Sequence, residues 1–169
     1  NPMLDKTVHI ERFVRGAIHR ATAMELVAGG KGINVARQLK VLGIDSQATG
    51  FMGGEVGSIV LDLLRQEGIR NDFIQADSPT REGVTYLEVD GTSTAVFEPA
   101  QKVPLERVHE LSKKFHTLFP QSSWIVCSGS SPGSEADDLY YEAVLAAHKY
   151  VVMSILDSYG EPFRLGLRA

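Results

Sequence analysis

Cysteine is almost absent from this sequence, and it has neither long apolar runs nor a strong charge of either sign. Cys127 is the only cysteine among 169 residues, which excludes an intrachain disulfide and a cysteine-based zinc cluster and favours a reducing, cytoplasmic setting. No apolar run approaches the length of a membrane span, so we expect no membrane contact. The net charge of −4 gives no reason to expect nucleic acid as a partner.

The composition is that of a globular domain. Hydrophobic residues make up 43% and charged residues 22% of the chain, and 169 residues suffice for one domain with a sizeable core. The five histidines are scattered, without a spacing typical of a metal site. We therefore predict a single domain over residues 1–169 that binds no metal through its own side chains.

Apolar residues alternate between helical and strand periodicity along the chain. We predict helices from the glycine cluster to Leu42 and over 56–67 and 104–119, one capped by Ser134, and one from near Pro162. The predicted strands lie between them, at 47–51, 72–75, 124–127 and 151–156. This alternation predicts an α/β fold in which a mostly parallel sheet is flanked by helices.

Four further strands do not suit the centre of such a sheet. Segments 7–13, 21–27, 83–89 and 92–97 carry polar residues at alternate positions, which favours a separate small sheet. Asp90-Gly91 separates the last two segments and predicts a hairpin with a type I′ turn. We expect the four strands to form a lid beside the α/β body.

A glycine cluster stands immediately before the first helix. Gly29, Gly30 and Gly32 surround Lys31, and glycine disfavours a helix, so the backbone needs unusual torsion angles or a ligand approaches closely. Neither the Walker A loop nor the dinucleotide fingerprint matches this spacing. A tight turn without a ligand is one interpretation. The other is an anion site at the helix N-terminus, where Lys31 supplies charge and Asn34 binds hydroxyls.

Five short motifs in order resemble a known family. They read NPMLD at 1–5, AGGKGINVAR at 28–37, TREG at 80–83, CSGSSPG at 127–133 and ILDSYGE at 155–161. Together they resemble the N-terminal half of a ribokinase-like sugar kinase of the phosphofructokinase B type. The similarity is closest to the branch of 1-phosphofructokinases and tagatose-6-phosphate kinases, and it implies a Rossmann-like body with a β-sheet lid.

The resemblance also implies roles for seven residues. Asp5 and Asn34 correspond to side chains that bind sugar hydroxyls, and Gly29 and Gly30 to backbone contacts with the sugar. The phosphate side of the site corresponds to the following residues: Lys31, Arg81 and Ser130. The cations His19 and Arg20 lie in the lid region, where relatives place further positive charge.

Two departures from the family pattern concern the substrate pocket. Gly83 stands where relatives carry asparagine, and the loop at 130–133 is one residue shorter than usual. Both leave the identity of the sugar open.

The family's second signature, a Gly-Ala-Gly-Asp segment that supplies the catalytic base and an anion hole, is absent. The chain therefore holds no catalytic residue. ATP and Mg²⁺ are expected to bind mainly outside these residues, and the chain alone is expected to be inactive. The sequence is interpreted as a fragment of a longer protein.

The resemblance leaves several functions open. The whole protein is expected to phosphorylate fructose 1-phosphate to the 1,6-bisphosphate, with tagatose 6-phosphate or another sugar as the alternative substrate. An alternative of another class is a non-catalytic module that binds sugar phosphates or mediates dimerisation. A dinucleotide-dependent enzyme is the most distant interpretation. We also predict a homodimer formed through the lid, because unpaired strand edges must be covered.

Overall fold

The computed structural model describes residues 1–169, in which strands and helices alternate. The strands are β1 (Met3–Ile10), β2 (Ala23–Gly29), β3 (Phe51–Met52), β4 (Ile74–Gln75), β5 (Arg81–Glu88), β6 (Ser93–Phe97), β7 (Trp124–Ser128) and β8 (Met153–Asp157). The α-helices are α1 (Lys31–Val41), α2 (Gly54–Gln66), α3 (Leu105–Leu118), α4 (Leu139–Tyr150) and α5 (Gly160–Gly166). No helix is long and apolar enough to cross a membrane.

The predicted lid is a four-stranded sheet in the order β2-β1-β5-β6. β1 pairs with β5 in parallel, and the other two pairs are antiparallel. The first strand begins and ends earlier than predicted, at Met3 and Ile10 instead of residues 7 and 13. Met3–Ile10 pairs with β5 along its whole length, whereas residues 11–22 belong to no strand. The sheet thus begins beside the glycine cluster.

The hairpin between β5 and β6 is confirmed, but its turn is not type I′. A type I′ turn needs positive φ at both central residues, and here only Gly91 has it, at 87°. The Gly91 N–H donates to the Glu88 carbonyl over 3.0 Å, and the Glu88 N–H donates to the Thr92 carbonyl over 2.9 Å. Gly91 is therefore the fourth residue of the turn that begins at Glu88, and it is a left-handed bulge residue.

The helices follow their apolar periodicity; α2 and α5 each begin about two residues earlier than predicted, and two other helix starts differ in kind. Pro104 has extended backbone angles and precedes α3 instead of opening it. Ser134 does not cap α4; it opens a 3-10 turn, and its hydroxyl lies 3.2 Å from a Glu135 carboxylate oxygen. The prediction of a Ser134 cap was wrong because this turn delays the α-helix to Leu139.

Two apolar clusters hold the chain together. The larger one contains 16 buried residues, mainly from α3, α4 and β7, with Phe115, Phe119 and Leu139 among them. The smaller one contains nine, and it joins Leu4 and Ala28 of the lid sheet to α1 and α2. This second cluster fixes the start of β1 and the end of β2 against the helix that follows the glycines.

Candidate functional site

Asp5 lies on β1 between two glycines of the neighbouring strands. A Cβ atom on Gly29 would overlap its carboxylate, and one on Gly83 would lie 3.1 Å from Oδ1. Burial raises the pKa of Asp5 above the ordinary value of an aspartate, while Arg81 and Arg37 act in the opposite direction. The glycine at position 29 is thus explained by the space that this carboxylate needs.

Gly30 turns the chain from β2 into α1. Its φ of 110° is open to glycine and rarely to other residues, and a Cβ there would lie 3.1 Å from Pro2 Cα. Gly30 is the N-cap of α1 and offers no side-chain cap, and the first turn contains no acidic residue. The backbone N–H groups at this helix start are therefore available to an anion.

Lys31, the first residue of α1, reaches the end of β8. Its Nζ lies 3.1 Å from Oδ1 and 3.4 Å from Oδ2 of Asp157. Gly129, with a φ of 93°, passes beside the Lys31 stem, and its N–H donates to the Asp157 carbonyl over 2.8 Å. Sequence reasoning did not assign Asp157 a role, although it ends a strand at the edge where α/β proteins bind ligands.

Asn34 is exposed on the first turn of α1 and is held by a residue that sequence reasoning also missed. Arg37 Nη1 donates to Asn34 Oδ1 over 2.6 Å, and Nη2 donates to the Ala28 carbonyl over 2.7 Å. The same guanidinium pairs with Glu67, which follows α2. The signal for Arg37 is its place in the glycine motif, one turn after Asn34.

Arg81 opens β5 opposite Met3, and its Nε atom is buried without a hydrogen-bond partner. Gly29 faces Met3 from the other side of β1, so the backbones of Gly29 and Arg81 are about 10 Å apart. Side chains of directly paired residues share one face of a sheet, and Asp5 lies two residues further along that face. Arg81 and Asp5 therefore lie near each other on the face that Gly29 shares.

Ser130 lies in the loop after β7 and connects it to the first residue of the chain. Its Oγ accepts a hydrogen bond of 3.0 Å from Asn1 Nδ2, which also lies 3.3 Å from the Ser131 carbonyl. His19 makes only local contacts, with the Val14 backbone and the Phe13 ring. The structure thus does not draw His19 into the site.

The space beside Gly83, where the family resemblance implies an asparagine side chain, is filled in this chain. A Cβ at Gly83 would lie 2.6 Å from the nearest ring carbon of Phe97, which comes from β6. A larger residue at position 83 would have to displace that ring. The Phe97 ring therefore occupies the space that a side chain at position 83 would need.

The structure brings the seven predicted residues to the same region, in three groups. Asp5, Gly29 and Arg81 surround the start of β1. Gly30, Lys31 and Asn34 form the first turn of α1, and Ser130 is joined through Asn1. No group of three or more histidine, cysteine, aspartate or glutamate side chains is placed to hold a metal ion. The region carries cationic and amide side chains together with two carboxylates, Asp5 and Asp157.

Comparison with known proteins identifies the family. The model of the pfkB family carbohydrate kinases matches residues 1–169, and the chain belongs to this family. The predicted family is thus confirmed.

Curated relatives include two enzymes of different substrate specificity. A tagatose-6-phosphate kinase of Staphylococcus epidermidis is 30% identical over 161 residues, which is 95% of this chain and 52% of that protein. A 1-phosphofructokinase of Borreliella burgdorferi is 33% identical over 168 residues, or 99% of this chain and 54% of that protein. The chain therefore spans about half the length of the curated relatives it matches.

Solved structures show the same relationship. A possible 1-phosphofructokinase from Thermotoga maritima superposes with a TM-score of 0.92 and 28% identity, covering 100% of this chain and 55% of that one. Phosphofructokinase-2 from Escherichia coli in complex with fructose-6-phosphate superposes with a TM-score of 0.86 and 25% identity, covering 95% and 53%. The fold is the ribokinase-like α/β fold in its N-terminal half, as predicted.

Proposed function

We propose that this chain carries the sugar-phosphate half-site of an ATP-dependent kinase that converts fructose 1-phosphate to fructose 1,6-bisphosphate. The observation that carries the proposal is Arg81, whose buried Nε has no partner in the protein and which lies beside the Asp5 carboxylate. A buried donor on a charged group is costly unless a ligand satisfies it. Arg81 would bind the substrate phosphate through its planar fork of donors.

The remaining residues would bind either the phosphate or the hydroxyl groups of the sugar. The uncapped N-terminus of α1 and Lys31 would complete the neutralisation of the phosphate, with Ser130 at its far side. Asp5 and Asn34 would bind hydroxyl groups, and Gly29 and Gly30 would let the sugar approach the backbone. Lys31 would have to exchange its contact with Asp157 for the phosphate.

ATP and Mg²⁺ would supply the transferred phosphoryl group and its charge neutralisation. This chain has no grouped carboxylates for a metal ion and no Gly-Ala-Gly-Asp segment for a base. Its own residues would therefore bind and orient the sugar phosphate, and we expect no turnover by the chain alone.

Substitution of Arg81 tests the proposal. We expect Arg81→Ala to weaken binding of fructose 1-phosphate roughly ten- to a hundredfold, because a hydrogen bond to a charged group contributes about 1.5–3 kcal/mol. Lys31→Ala should have a smaller effect, because the backbone N–H groups of α1 remain. Isothermal titration calorimetry on the chain measures both changes.

A matched control is Arg107→Ala, which removes an arginine that contacts Glu110 and Asp77 on and near α3. This variant should bind fructose 1-phosphate as the unmodified chain does. Equal binding by Arg81→Ala and the unmodified chain would place the phosphate elsewhere. Titration with tagatose 6-phosphate in parallel decides between the two substrates suggested by the relatives.

A non-catalytic module that binds sugar phosphates remains the second candidate, because these residues include no grouped carboxylates for a metal ion. ADP release with fructose 1-phosphate and ATP is measured on the chain and on a fusion of the chain with the C-terminal half of a relative. The assay decides between the kinase and the non-catalytic module. Turnover by the fusion supports the kinase, and binding without turnover in both supports the module.

The lid would also mediate a homodimer. Several apolar side chains on its outer strands are exposed: Met24, Val96 and Phe97. Sedimentation at micromolar concentration should show a dimer, and Val96→Lys should shift it to a monomer. A monomeric unmodified chain would contradict this proposal.

A further inference from the structure

Arg37 and Glu67 have no role in the proposed function, yet they connect the site to the body of the domain. Arg37 Nε donates to Glu67 Oε2 over 2.5 Å, and Nη2 donates to Oε1 over 3.0 Å. Both partners are largely buried, with 25% and 30% of their side chains exposed. A two-point contact of this kind fixes the plane of the guanidinium.

The fixed guanidinium determines which way the Asn34 amide faces. Arginine carries five donors and no acceptor, so the atom of Asn34 that meets Nη1 at 2.6 Å must be the oxygen Oδ1. The NH₂ group of the same amide makes no hydrogen bond within the chain, and Asn34 is exposed on the first turn of α1. The NH₂ group is therefore left exposed and able to donate to a ligand at the first turn of α1.

We propose that Arg37, held by Glu67, is a positioning residue that turns the Asn34 amide so that its NH₂ group donates to an oxygen of the bound sugar phosphate. This inference rests on the proposed function, since it assumes that a sugar phosphate lies at the N-terminus of α1. It adds that Asn34 is a donor at this site and that its orientation is set through Arg37 by Glu67, which follows α2 and lies 30 residues from Arg37 in sequence.

Lysine cannot replace Arg37 in this arrangement. A lysine ammonium group is a single point on a flexible stem and cannot satisfy Glu67, the Ala28 carbonyl and Asn34 at once. Arg37→Lys should keep the charge of α1 and the pairing with Glu67, but release the Asn34 amide to rotate. Arg37→Lys should therefore weaken binding only where the Asn34 amide is present to be misplaced.

A double-mutant cycle separates positioning from general structural support. Binding of fructose 1-phosphate is measured by calorimetry on the full chain and on Arg37→Lys, Asn34→Ala and the double variant. We expect Arg37→Lys to weaken binding roughly three- to tenfold when Asn34 is present and less than about twofold when it is alanine. Equal losses in both backgrounds would overturn the inference. Arg107→Lys is the control and should leave binding unchanged.

A second variant keeps the test decisive if Arg37→Lys does not fold. Asn34→Asp retains an oxygen for Arg37 and replaces the NH₂ group by a second oxygen. It should melt at or above the temperature of the unmodified chain and lose binding more than tenfold. Unchanged binding by Asn34→Asp would overturn the inference while leaving the proposed function in place.

Nuclear magnetic resonance of the ligand-free chain tests the amide orientation itself. The NH₂ signals of Asn34, assigned by their loss in Asn34→Asp, should change in Arg37→Lys and show no close contact to the guanidinium protons. A strong nuclear Overhauser effect between these NH₂ protons and the Arg37 guanidinium would overturn the orientation. Absence of fructose 1-phosphate binding by the unmodified chain would instead count against the proposed function, and this spectrum would still decide the orientation.

Discussion

Asp5 is held in a place that does not favour its charge. Burial raises the pKa of its carboxyl group despite Arg81 and Arg37. The folded chain therefore binds this proton more tightly than the unfolded chain, and the free energy of unfolding falls as the pH rises through the ordinary aspartate range to the raised pKa. Below that range the carboxyl group is protonated in both the folded and the unfolded chain, so burying it no longer lowers the free energy of unfolding.

Substitution of Asp5 by asparagine should expose this cost. Asp5→Asn should raise the melting temperature near pH 7, where the unmodified carboxylate is ionised, and have little effect near pH 3, where it is protonated. The same variant should bind fructose 1-phosphate at least about tenfold more weakly, because a charged acceptor is lost. Thermal melts at the two pH values and calorimetry measure these changes.

The exposed aspartate of the Asp45–Arg70 ion pair provides the control. Asp45→Asn should not raise the melting temperature at either pH. If Asp5→Asn lowered the melting temperature near pH 7, the carboxylate would stabilise the fold, and the direction inferred for its pKa would be wrong.

Cys127 illustrates a buried group without a chemical role. It is 8% exposed on β7, and burial raises the pKa of its thiol to about 12. Because the thiolate is the reactive form, Cys127 should react with Ellman's reagent only when the chain unfolds. The rate in buffer should be at least about a hundredfold below that in concentrated urea, and rapid reaction in buffer would contradict the packing of β7.

At the scale of residues, the motifs predicted which residues would lie in one region better than they predicted the contacts among them. Asp5 and Arg81 were recognised through motifs 76 residues apart that the parallel pairing of β1 and β5 brings together. Glu67 and Asp157 were missed because their partners, Arg37 and Lys31, lie 30 and 126 residues away. Such ion pairs depend on how helices and strands pack, which spacing along the chain does not reveal.

The start of α1 shows that its glycines serve different purposes. Gly30 has a φ of 110° with Pro2 Cα close by, whereas a Cβ on Gly32, inside the helix, would meet nothing within 4 Å. The turn and the close approach of Pro2 both require glycine at position 30, and neither applies at position 32.

Two alanine substitutions test this difference. Gly30→Ala should lower the free energy of unfolding by about 1–3 kcal/mol through backbone strain. Gly32→Ala should raise it by about 0.5–1 kcal/mol, because alanine favours a helix. Urea denaturation of the two variants measures the effects. Equal destabilisation by both would mean that the helix start is not formed as described.

At the scale of elements, apolar periodicity predicted the long helices and the α/β order, but not the lid's details. β1 begins at Met3 because pairing on both sides supports a strand through Asp5, a residue that strands otherwise disfavour. The hairpin turn has a bulge at Gly91 because only that residue adopts positive φ. Strand ends and turn types thus depend on contacts with distant segments, which the local sequence does not predict.

At the scale of the whole molecule, one face of the β7–β8 pair is uncovered. Ile125 and Cys127 point into the larger apolar cluster, while the alternate side chains are exposed. The exposed set consists of Trp124 at 57%, Val126 at 36%, Met153 at 58% and Ile155 at 47%. Trp124 pairs with Met153 and Val126 with Ile155, so the four form one continuous apolar patch.

This patch should drive association of the chain beyond the lid dimer at higher concentration, because contiguous exposed apolar surfaces promote association. Trp124 is the only tryptophan, so its fluorescence reports on the patch directly. At low concentration its emission should be that of an exposed indole and should be quenched readily by acrylamide. With rising concentration the emission should shift to shorter wavelength as chains associate.

The double variant Trp124→Gln, Met153→Gln should not associate further at concentrations where the unmodified chain does. Its free energy of unfolding should change by less than about 1 kcal/mol. Protection of Trp124 from acrylamide at low concentration would show that another part of the chain covers this face.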